Sequence, residues 1–365
     1  HVCALCSALW KLIERGAKMK RIVLVVLVAA ELFVLLCACG GAQTPPAAEP
    51  SSSSAEKQPS AAICMGAVSH PVHRVVQLGF METADELGYE GHILGLKEGR
   101  MQELFDCWLQ GAREYDISGA AFWVGGDSAY EFLKELHGMG IKTVALHFPH
   151  VYGETGDFID AAVYCDWQQA VLEAGDCLVG ILHERGIYSG QIGVVLPSPS
   201  PIYEDMIEFE KYMAKQYPAY EILENSYSGA FGTAAEQQAA GYIASHPDMV
   251  GVFIRSTEGA PAWTRAKSET GREDVVVVAM DYTPENLDAL ASGGVDALLG
   301  QSLYEAGSVG LELIDSLLQG AVYQEEEEQW HCELDIRIVT KDGEGPQGAA
   351  YYNAMYARSA ARFGS

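Results

Sequence analysis

Residues 274–300 read DVVVVAMDYTPENLDALASGGVDALLG, and they predict one strand–helix–strand unit. After the initial Asp, residues 274–280 form an apolar run without polar alternation, which is typical of a strand buried on both faces. A helix-like stretch follows at residues 284–292, and a Gly-Gly turn leads into a second apolar run at residues 295–299. Strand, helix and strand in this order predict neighbouring parallel strands, because parallel strands need a long crossover connection, usually a helix.

The same alternation extends along most of the chain. Further strands are predicted at residues 62–68, 91–96, 119–124, 142–146, 191–196, 220–225, 249–254 and 332–340. Helices are predicted at residues 72–87, 101–113, 128–139, 167–185, 202–216, 234–245 and 303–318. An acidic gap before residue 167 separates two α/β halves, so we expect two parallel sheets, each covered by helices on both faces. The tail at residues 347–365 is predicted to be a loosely attached helix.

Composition bounds the size and the partners of the protein. Of 365 residues, 49% are hydrophobic, and about 300 lie beyond residue 60, which is enough for two domains. The formal net charge of −27 repels phosphate backbones, so nucleic acid is not an expected partner. Five scattered cysteines beyond residue 60, in no CxxC pattern, argue against a zinc site and a disulfide framework. We expect them to be small buried side chains: Cys64, Cys107, Cys165, Cys177 and Cys332.

An apolar leader precedes the α/β halves. The run IVLVVLVAAELFVLL at residues 22–36 contains one Glu, and its 15 residues are fewer than the roughly 20 that a membrane-spanning helix needs. A Lys-Arg pair precedes the run, which is the order of a secretory signal peptide, predicted at residues 19–38. Residues 1–18, ahead of Met19, are expected to be an over-extended reading frame and take no part in the fold.

The leader ends in LCAC at residues 36–39, which resembles the lipobox of bacterial lipoproteins. In that motif the last Cys is lipidated and becomes the mature N-terminus, although Cys37 stands where Ala or Ser is usual. Residues 39–60 are rich in Pro, Ser, Ala and Gly and are predicted to be a flexible stalk. We therefore expect Cys39 to anchor the protein at the outer face of the bacterial cytoplasmic membrane. The alternative is a plain signal peptide with accidental cysteines.

Several segments together resemble the type 1 periplasmic binding proteins, particularly the ribose-binding-like branch that delivers sugars to ABC transporters. Residues 274–300 are similar to the family's strand, Asp, Thr-Pro, helix and turn, and Gln301 follows with the Gly-bearing helix LYEAGSVGLELIDSLLQG. HPDMVGVFIRSTEGA at residues 246–260 and AVSHPVHRVVQLGFMETADELGY at residues 67–89 are similar to two further family segments. The resemblance covers about residues 63–341.

The resemblance implies an α/β fold of two Rossmann-like lobes with parallel sheets, joined by a three-crossing hinge. The N-terminal lobe would comprise residues 61–164 and 302–329, and the C-terminal lobe residues 165–301 and 330–341. Residues 342–365 would form the tail. A ligand would lie between the lobes, which agrees with the rule that open α/β sheets bind ligands at the carboxyl ends of their strands.

Four candidate ligand-binding residues come from the second half of the chain. Asp281 matches the family's ligand-binding Asp, and the alternative is that it caps the following helix together with Thr283. Phe231, in SGAFGTAAE, stands where the family offers an aromatic wall, or is a simple packing residue. Ser256 stands where the family often has Asn and could make one hydrogen bond. Gln301 matches the hinge Gln and contacts the ligand or the hinge, unless it is a surface residue.

The first half contributes aromatic candidates. His70 and His73 lie in the loop SHPVHR, where the family places Asn and aromatic residues, and we expect them to stack on or hydrogen-bond to a ligand. With His147 they could suggest a metal site, but no ligand spacing beyond His-x-x-His supports one. Trp123 is either a further stacking face or a core residue.

Three positions depart from the sugar-binding pattern. His147 and Phe148 stand where the family's sugar binders often carry Asp-Arg, and Asp205 lies near where they carry Arg. The loss of two basic donors argues against ribose itself. Because Asp205, Asp281 and Glu258 bring carboxylates to one cleft, a cationic or amine-bearing ligand is an alternative to a sugar.

The function predicted from these features is an extracytoplasmic solute-binding lipoprotein. Its partners would be a small polar ligand and an ABC transporter permease, with no cofactor and no partner subunit. A ligand sensor feeding a membrane receptor is the alternative. An enzyme is not expected, because no GxSxG, HExxH or Walker pattern occurs.

Overall fold

The computed structural model describes residues 58–97, 101–123, 129–146, 157–197, 205–227, 233–257, 259–323 and 331–364. The predictions for residues 1–57, namely the leader, the lipidated Cys39 and the stalk up to residue 57, lie outside these ranges. The predicted stalk ends at residue 60, where β1 already begins. So do four residues near the predicted site: His147, Phe148, Phe231 and Glu258. Among the described helices, none combines the length and the apolar character needed to cross a membrane.

Strands and helices alternate through the described ranges. The strands are β1 (Ser60–Ala67), β2 (Glu90–Leu96), β3 (Gly119–Phe122), β4 (Lys142–Leu146), β5 (Ala161–Cys165), β6 (Gly190–Leu196), β7 (Tyr220–Ile222), β8 (Ser226–Tyr227), β9 (Met249–Ile254), β10 (Val276–Met280), β11 (Ala297–Gln301), β12 (His331–Leu334) and β13 (Ile336–Thr340). The helices are α1 (Pro71–Leu87), α2 (Met101–Glu114), α3 (Tyr130–Gly138), α4 (Trp167–Glu184), α5 (Asp205–Gln216), α6 (Thr233–Ser245), α7 (Gly259–Thr270), α8 (Pro284–Ser292), α9 (Leu303–Leu318) and α10 (Ala349–Phe363).

The first sheet has six strands in the order β12-β5-β4-β3-β1-β2, and every neighbouring pair is parallel. The side chains of its inner strand β1 alternate between two apolar layers. Ile63 and Met65 pack in the cluster that contains α1 and α9, whereas Ala62 and Cys64 pack with α2 and α3. This strand is therefore buried on both faces, as an apolar run without alternation predicts.

The second sheet has the order β13-β11-β10-β9-β6-β7, with β8 paired to β6. All its pairs are parallel except that β13 runs antiparallel to β11. Val276 and Val278 of β10 pack against α4 and α5, while Val277 and Ala279 pack in the cluster that contains α7 and α8. The prediction of two mostly parallel α/β sheets is confirmed.

Helices α1 and α9 touch backbone to backbone in the first lobe. A Cβ atom added at Gly79 would lie 1.9 Å from the carbonyl oxygen of Tyr304, and one added at Gly307 would lie 1.9 Å from that of Val76. The Thr83 hydroxyl donates a hydrogen bond of 2.8 Å to Ser308 across the same contact. Glycine at these two positions is what allows the helices to approach so closely.

Gly307→Ala should therefore destabilise the protein by about 1–3 kcal/mol, because the methyl group has no space and the helices must separate. Gly180→Ala is the matched control, since Gly180 is exposed on α4 and its added Cβ would meet nothing within 4 Å. The control should be neutral or gain about 0.5–1 kcal/mol from the higher helix propensity of Ala. Urea unfolding measures both changes. Equal stability of the two variants would contradict the close packing.

The late strand differs from its prediction. Instead of one strand at residues 332–340 in the second lobe, the chain forms two strands that are separated by Asp335. β12 pairs in parallel with β5 in the first sheet, and β13 pairs with β11 in the second. The assignment of all of residues 330–341 to the C-terminal lobe is therefore wrong for β12, because this segment crosses between the sheets.

Three elements are missing from the sequence-based prediction, and a fourth is packed differently. β5, α7 and the two-residue strand β8 were not predicted. The C-terminal helix was expected to be loosely attached, but α10 buries Tyr352 and Met355, which are 1% and 4% exposed. These side chains join an apolar cluster that contains Tyr282 and Leu287 of the second lobe and Val72 and Val76 of the first. The tail is thus an integral part of the fold.

Candidate ligand-binding site

The three connections between the sheets lie at one place. The chain leaves the first sheet after Cys165, returns to the first lobe at Ser302, and crosses again at Asp335. The Ser302 hydroxyl donates a hydrogen bond of 2.7 Å to the carbonyl oxygen of Asp335, and the Ser302 backbone hydrogen-bonds to the Cys165 sulfur. These contacts hold the crossings together as a hinge. Because β5 and β11 end there, the carboxyl edges of both sheets, where parallel sheets bind ligands, lie next to the hinge.

Asp281 lies at the carboxyl edge of the second sheet, directly after β10, and is only 2% exposed. Its carboxylate accepts a hydrogen bond of 2.7 Å from the Thr257 hydroxyl and one of 2.9 Å from the Gln301 side-chain amide. Thr257 follows β9, and Gln301 ends β11. One carboxylate therefore links the ends of three adjacent strands. We refer to these three residues as the Asp281 network.

The cap of α8 is Thr283, whose side chain accepts a hydrogen bond of 3.3 Å from the backbone N–H of Asn286. The alternative that Asp281 caps this helix is therefore wrong. The amide of Asn286 donates in turn to the carbonyl oxygens of Thr257, Met280 and Asp281, at 2.6, 3.0 and 3.1 Å. Gln301 is 4% exposed, so it is not a surface residue.

The backbone of Asp281 is left-handed, with φ of 63°, which costs an L-residue about 1–2 kcal/mol. Its neighbour Tyr282 holds this conformation in place. The Tyr282 hydroxyl accepts a hydrogen bond of 3.3 Å from the backbone N–H of Leu303, and its ring lies over Gly300, where a Cβ would come within 2.1 Å of the ring. The ring also packs against Tyr352 of α10, with 3.7 Å between the centroids.

Arg255 is a site residue that the sequence-based prediction missed. It directly follows β9, is 7% exposed, and donates two hydrogen bonds of 3.2 and 3.1 Å to one carboxylate oxygen of Asp205. Its guanidinium lies 4.3 Å from the ring centroid of Trp167 and also contacts the sulfur of Met280. The other carboxylate oxygen of Asp205 is buried and has no hydrogen-bond partner among the described residues. The sequence signal for Arg255 is the one used for Asp281, a polar residue directly after a buried strand.

The first lobe supplies rings at the carboxyl edge of its sheet. The centroids of His70 and His73 lie 5.2 Å apart, and those of His73 and Trp123 lie 5.5 Å apart. His73 Nδ1 lies 2.8 Å from the carbonyl oxygen of Ala67, so this nitrogen carries the proton and donates it. Burial lowers the pKa of His73 to about 4, and the charge of His70 acts in the same direction. The three rings form one cluster, in which His73 lies next to both His70 and Trp123 and is neutral near pH 7.

The structure thus brings the predicted residues together at the two carboxyl edges. Asp281, Gln301 and Ser256 lie at the carboxyl edge of the second sheet, and Asp205, the first residue of α5, is paired there with Arg255. Ser256 is 5% exposed between Arg255 and Thr257. His70 and His73 lie at the first sheet. Among the described residues, no group of three or more His, Cys, Asp or Glu side chains is arranged to hold a metal ion.

The low pKa of His73 predicts a loss of stability in acid. Between pH 6.5 and about pH 4 the unfolded chain binds a proton at this His that the folded protein excludes, so stability falls as the pH is lowered through this window. From pH 7 to pH 4.5 this protonation lowers the free energy of unfolding by about 2 kcal/mol. His73→Gln should therefore lose about that much less stability than the wild type over the same interval, as measured by urea unfolding at each pH. An unchanged pH dependence would contradict a buried neutral His73.

Two hinged α/β lobes, each with polar or aromatic side chains at its carboxyl edge, define a two-lobed ligand-binding protein. A family model described as a periplasmic binding protein domain matches residues 61–321. The chain belongs to this family, and its architecture is the type 1 periplasmic binding protein fold. The C-terminal helix α10 lies beyond the matched residues.

Two relatives by sequence are import binding proteins. The ribose import binding protein of Salmonella typhimurium is 32% identical over 99 residues, which make up 27% of this chain and 32% of that protein. The D-apiose import binding protein of Paraburkholderia graminis is 23% identical over 270 residues, which make up 72% of this chain and 81% of that protein. The chain therefore spans about a third of the length of the ribose relative.

Solved structures share the fold. An arabinose binding protein from Geobacillus stearothermophilus has a TM-score of 0.69 and 16% identity, and covers 78% of this chain and 97% of its own. A carbohydrate transporter solute binding protein from Agrobacterium radiobacter, solved with D-arabinose, has a TM-score of 0.67 and 17% identity, and covers 82% of this chain and 99% of its own. The family and both of these neighbours are described as binding proteins.

Proposed function

We propose that this protein is an extracytoplasmic solute-binding lipoprotein that captures a small polyhydroxy ligand, a sugar or a related compound, between its lobes. It then delivers the ligand to an ABC transporter permease. The relatives named for ribose and D-apiose import, and the structural neighbour with D-arabinose, support this class of ligand.

The observation that carries the proposal is the pairing of chemistry at the two carboxyl edges. The second lobe presents the buried Asp281 network, and the first lobe presents the rings of His70, His73 and Trp123. Sugars need this combination, because carboxylates and amides bind their hydroxyl groups while flat rings cover their C–H faces.

The pairing of Asp205 with Arg255 weakens the case for a cationic ligand, which rested on the carboxylates of Asp205, Asp281 and Glu258. The carboxylate of Asp205 is compensated by Arg255, so it does not add a free negative charge to the site. Its second oxygen, which has no partner among the described residues, is an acceptor for a ligand hydroxyl. The family's sugar binders often carry Arg at or near the positions of Phe148 and Asp205. Arg255 supplies a basic group to this site in their place.

The mechanism follows from the hinge. A ligand that contacts both lobes binds the closed arrangement more tightly than the open one, and this difference in affinity shifts the population towards closure. The closed pair of lobes is then the form that a permease recognises. Three crossings held together at Ser302 restrict the motion to a rotation about that point.

The lipid anchor predicts a specific modification. Cys39→Ala should abolish incorporation of a radiolabelled fatty acid and release the protein from the membrane or leave its leader uncut. Cys37→Ala is the matched control and should keep the label. Label retained in the Cys39 variant and lost in the Cys37 variant would move the lipidation site by two residues.

The binding proposal is tested by a thermal-shift screen of pentoses, hexoses and polyols, with primary amines as the opposing class. A ligand at about 100 times its dissociation constant adds roughly 2.7 kcal/mol to stability, which is readily detected. Stabilisation by amines alone would overturn the neutral-sugar assignment. No response to any compound in a refolded, ligand-free sample would contradict the proposed class.

With a compound from that screen, Asp281→Asn should weaken binding about 10- to 150-fold, the scale for a hydrogen bond to a charged group. Asn tolerates the left-handed backbone of Asp281, so the fold should persist. Thr283→Ala is the control, because loss of the α8 cap lowers stability by about 1 kcal/mol and should leave affinity unchanged. Calorimetric titration and melting curves of both variants separate the roles. Unchanged affinity in the Asp281 variant would remove this residue from the site.

A further inference from the structure

The C-terminal helix α10 contacts both lobes. Its N-terminal half lies on the second lobe, where Tyr352 packs on Tyr282 with 3.7 Å between the ring centroids. Its C-terminal half lies on α1 of the first lobe, where Arg358 pairs with Glu82 and Arg362 pairs with Asp85. A rotation about the hinge moves one lobe relative to the other, so α10 cannot keep both sets of contacts unchanged.

The base of α10 is fixed to the second lobe. The Tyr352 hydroxyl donates a hydrogen bond of 2.7 Å to the carbonyl oxygen of Pro346, and Gly348 bridges to Thr340 at the end of β13. Tyr352 is 1% exposed and Met355 is 4% exposed. Aromatic and apolar burial of this kind is not screened by salt as exposed ion pairs are, and Tyr352 packs directly on Tyr282, so we expect this half of α10 to move with the second lobe.

The contact with the first lobe is of a different kind. The side chains of Arg358 and Glu82 are 49% and 24% exposed, and those of Arg362 and Asp85 are 29% and 61% exposed. The hydrogen bond from Arg362 lowers the pKa of Asp85, as expected for a formed pair. Salt screens such exposed pairs, since the Debye length falls from about 30 Å at 0.01 M to about 10 Å at 0.1 M.

Further contacts at this end join the pairs to α9 and to the start of α1. Tyr304 donates a hydrogen bond of 2.8 Å to Glu82, and the guanidinium of Arg358 lies 5.2 Å from the Tyr304 ring centroid. Arg74 lies 5.2 Å from the ring centroid of Phe363. The Ser359 hydroxyl, which is 4% exposed, donates a hydrogen bond of 3.5 Å to the carbonyl oxygen of Arg74. The first-lobe end of α10 is therefore held by polar and cation–π contacts, most of them exposed, which separate more readily than an apolar core.

We propose that α10 is an interlobe clasp. It is seated on the second lobe by the Tyr352–Tyr282 contact and holds α1 of the first lobe through the Arg358–Glu82 and Arg362–Asp85 pairs. The clasp favours the lobe arrangement in which both pairs form, and it releases α1 when the lobes rotate away from it. The equilibrium between the two arrangements therefore depends on ionic strength even without a ligand.

The test uses the ligand-free protein and the double variant Arg358→Gln/Arg362→Gln. Small-angle X-ray scattering reports the lobe arrangement, and hydrogen exchange reports the protection of α10 amides, each at 20 mM and 500 mM NaCl. We expect high salt to change the radius of gyration of the wild type and to reduce α10 protection. The double variant should show the high-salt behaviour at both concentrations. The change in α10 protection should be about 2- to 30-fold, the range that two exposed ion pairs support.

Arg113→Gln is the matched control, because its pair with Glu135 joins α2 and α3 within the first lobe and has similar exposure, 54% and 45%. It should behave like the wild type. A charge-swapped variant, Arg362→Asp/Asp85→Arg, should behave more like the wild type than Arg362→Asp alone. Lobe dimensions that do not respond to salt or to the double variant would overturn the clasp, as would an equal response of the Arg113 control.

Discussion

The hydrogen bonds that Asp281 accepts from Thr257 and Gln301 are the interaction on which the site depends. They join the ends of β9, β10 and β11, three strands whose carboxyl edge would otherwise end in separate loops. The left-handed turn at Asp281 aims the carboxylate across this edge. The Tyr282 ring stabilises this turn, and it can pack there only because residue 300 is a glycine and has no Cβ atom. Sheet order, a glycine and a buried ring thus combine to position one carboxylate.

The hinge lies directly beside the Asp281 network. Gln301 ends β11 inside the Asp281 network, and the next residue, Ser302, is bonded to the carbonyl of Asp335. The proposed binding residue Gln301 and the crossing residue Ser302 are therefore adjacent in the chain. Under the proposed function, a ligand that contacted the network would act directly on a crossing point, so no long pathway would be needed to couple binding to lobe rotation.

The sequence predicted the elements whose signal is local and strong. β4, β9, α8 and α9 have the bounds that were predicted, because apolar runs buried on both faces and clear helical periodicity need no tertiary information. β5 was missed because AAVYC is short and follows an acidic stretch, and α7 because Gly259 and Pro261 lie in its first turn. The docking of α10 rests on contacts with residues more than 60 positions away, such as Tyr282, which no local pattern encodes.

The candidate site was harder to predict from the sequence than the helices and strands. Strand ends identified Asp281 and Gln301 as candidates, but the pairing of Asp205 with Arg255 links residues 50 positions apart and depends on which strands are neighbours. Taken singly, Asp205 adds a negative charge and suggests a cationic ligand. Taken with Arg255 and the Trp167 ring, it becomes half of a compensated pair that can accept and donate hydrogen bonds. The inferred ligand class therefore changes with one contact that only the fold creates.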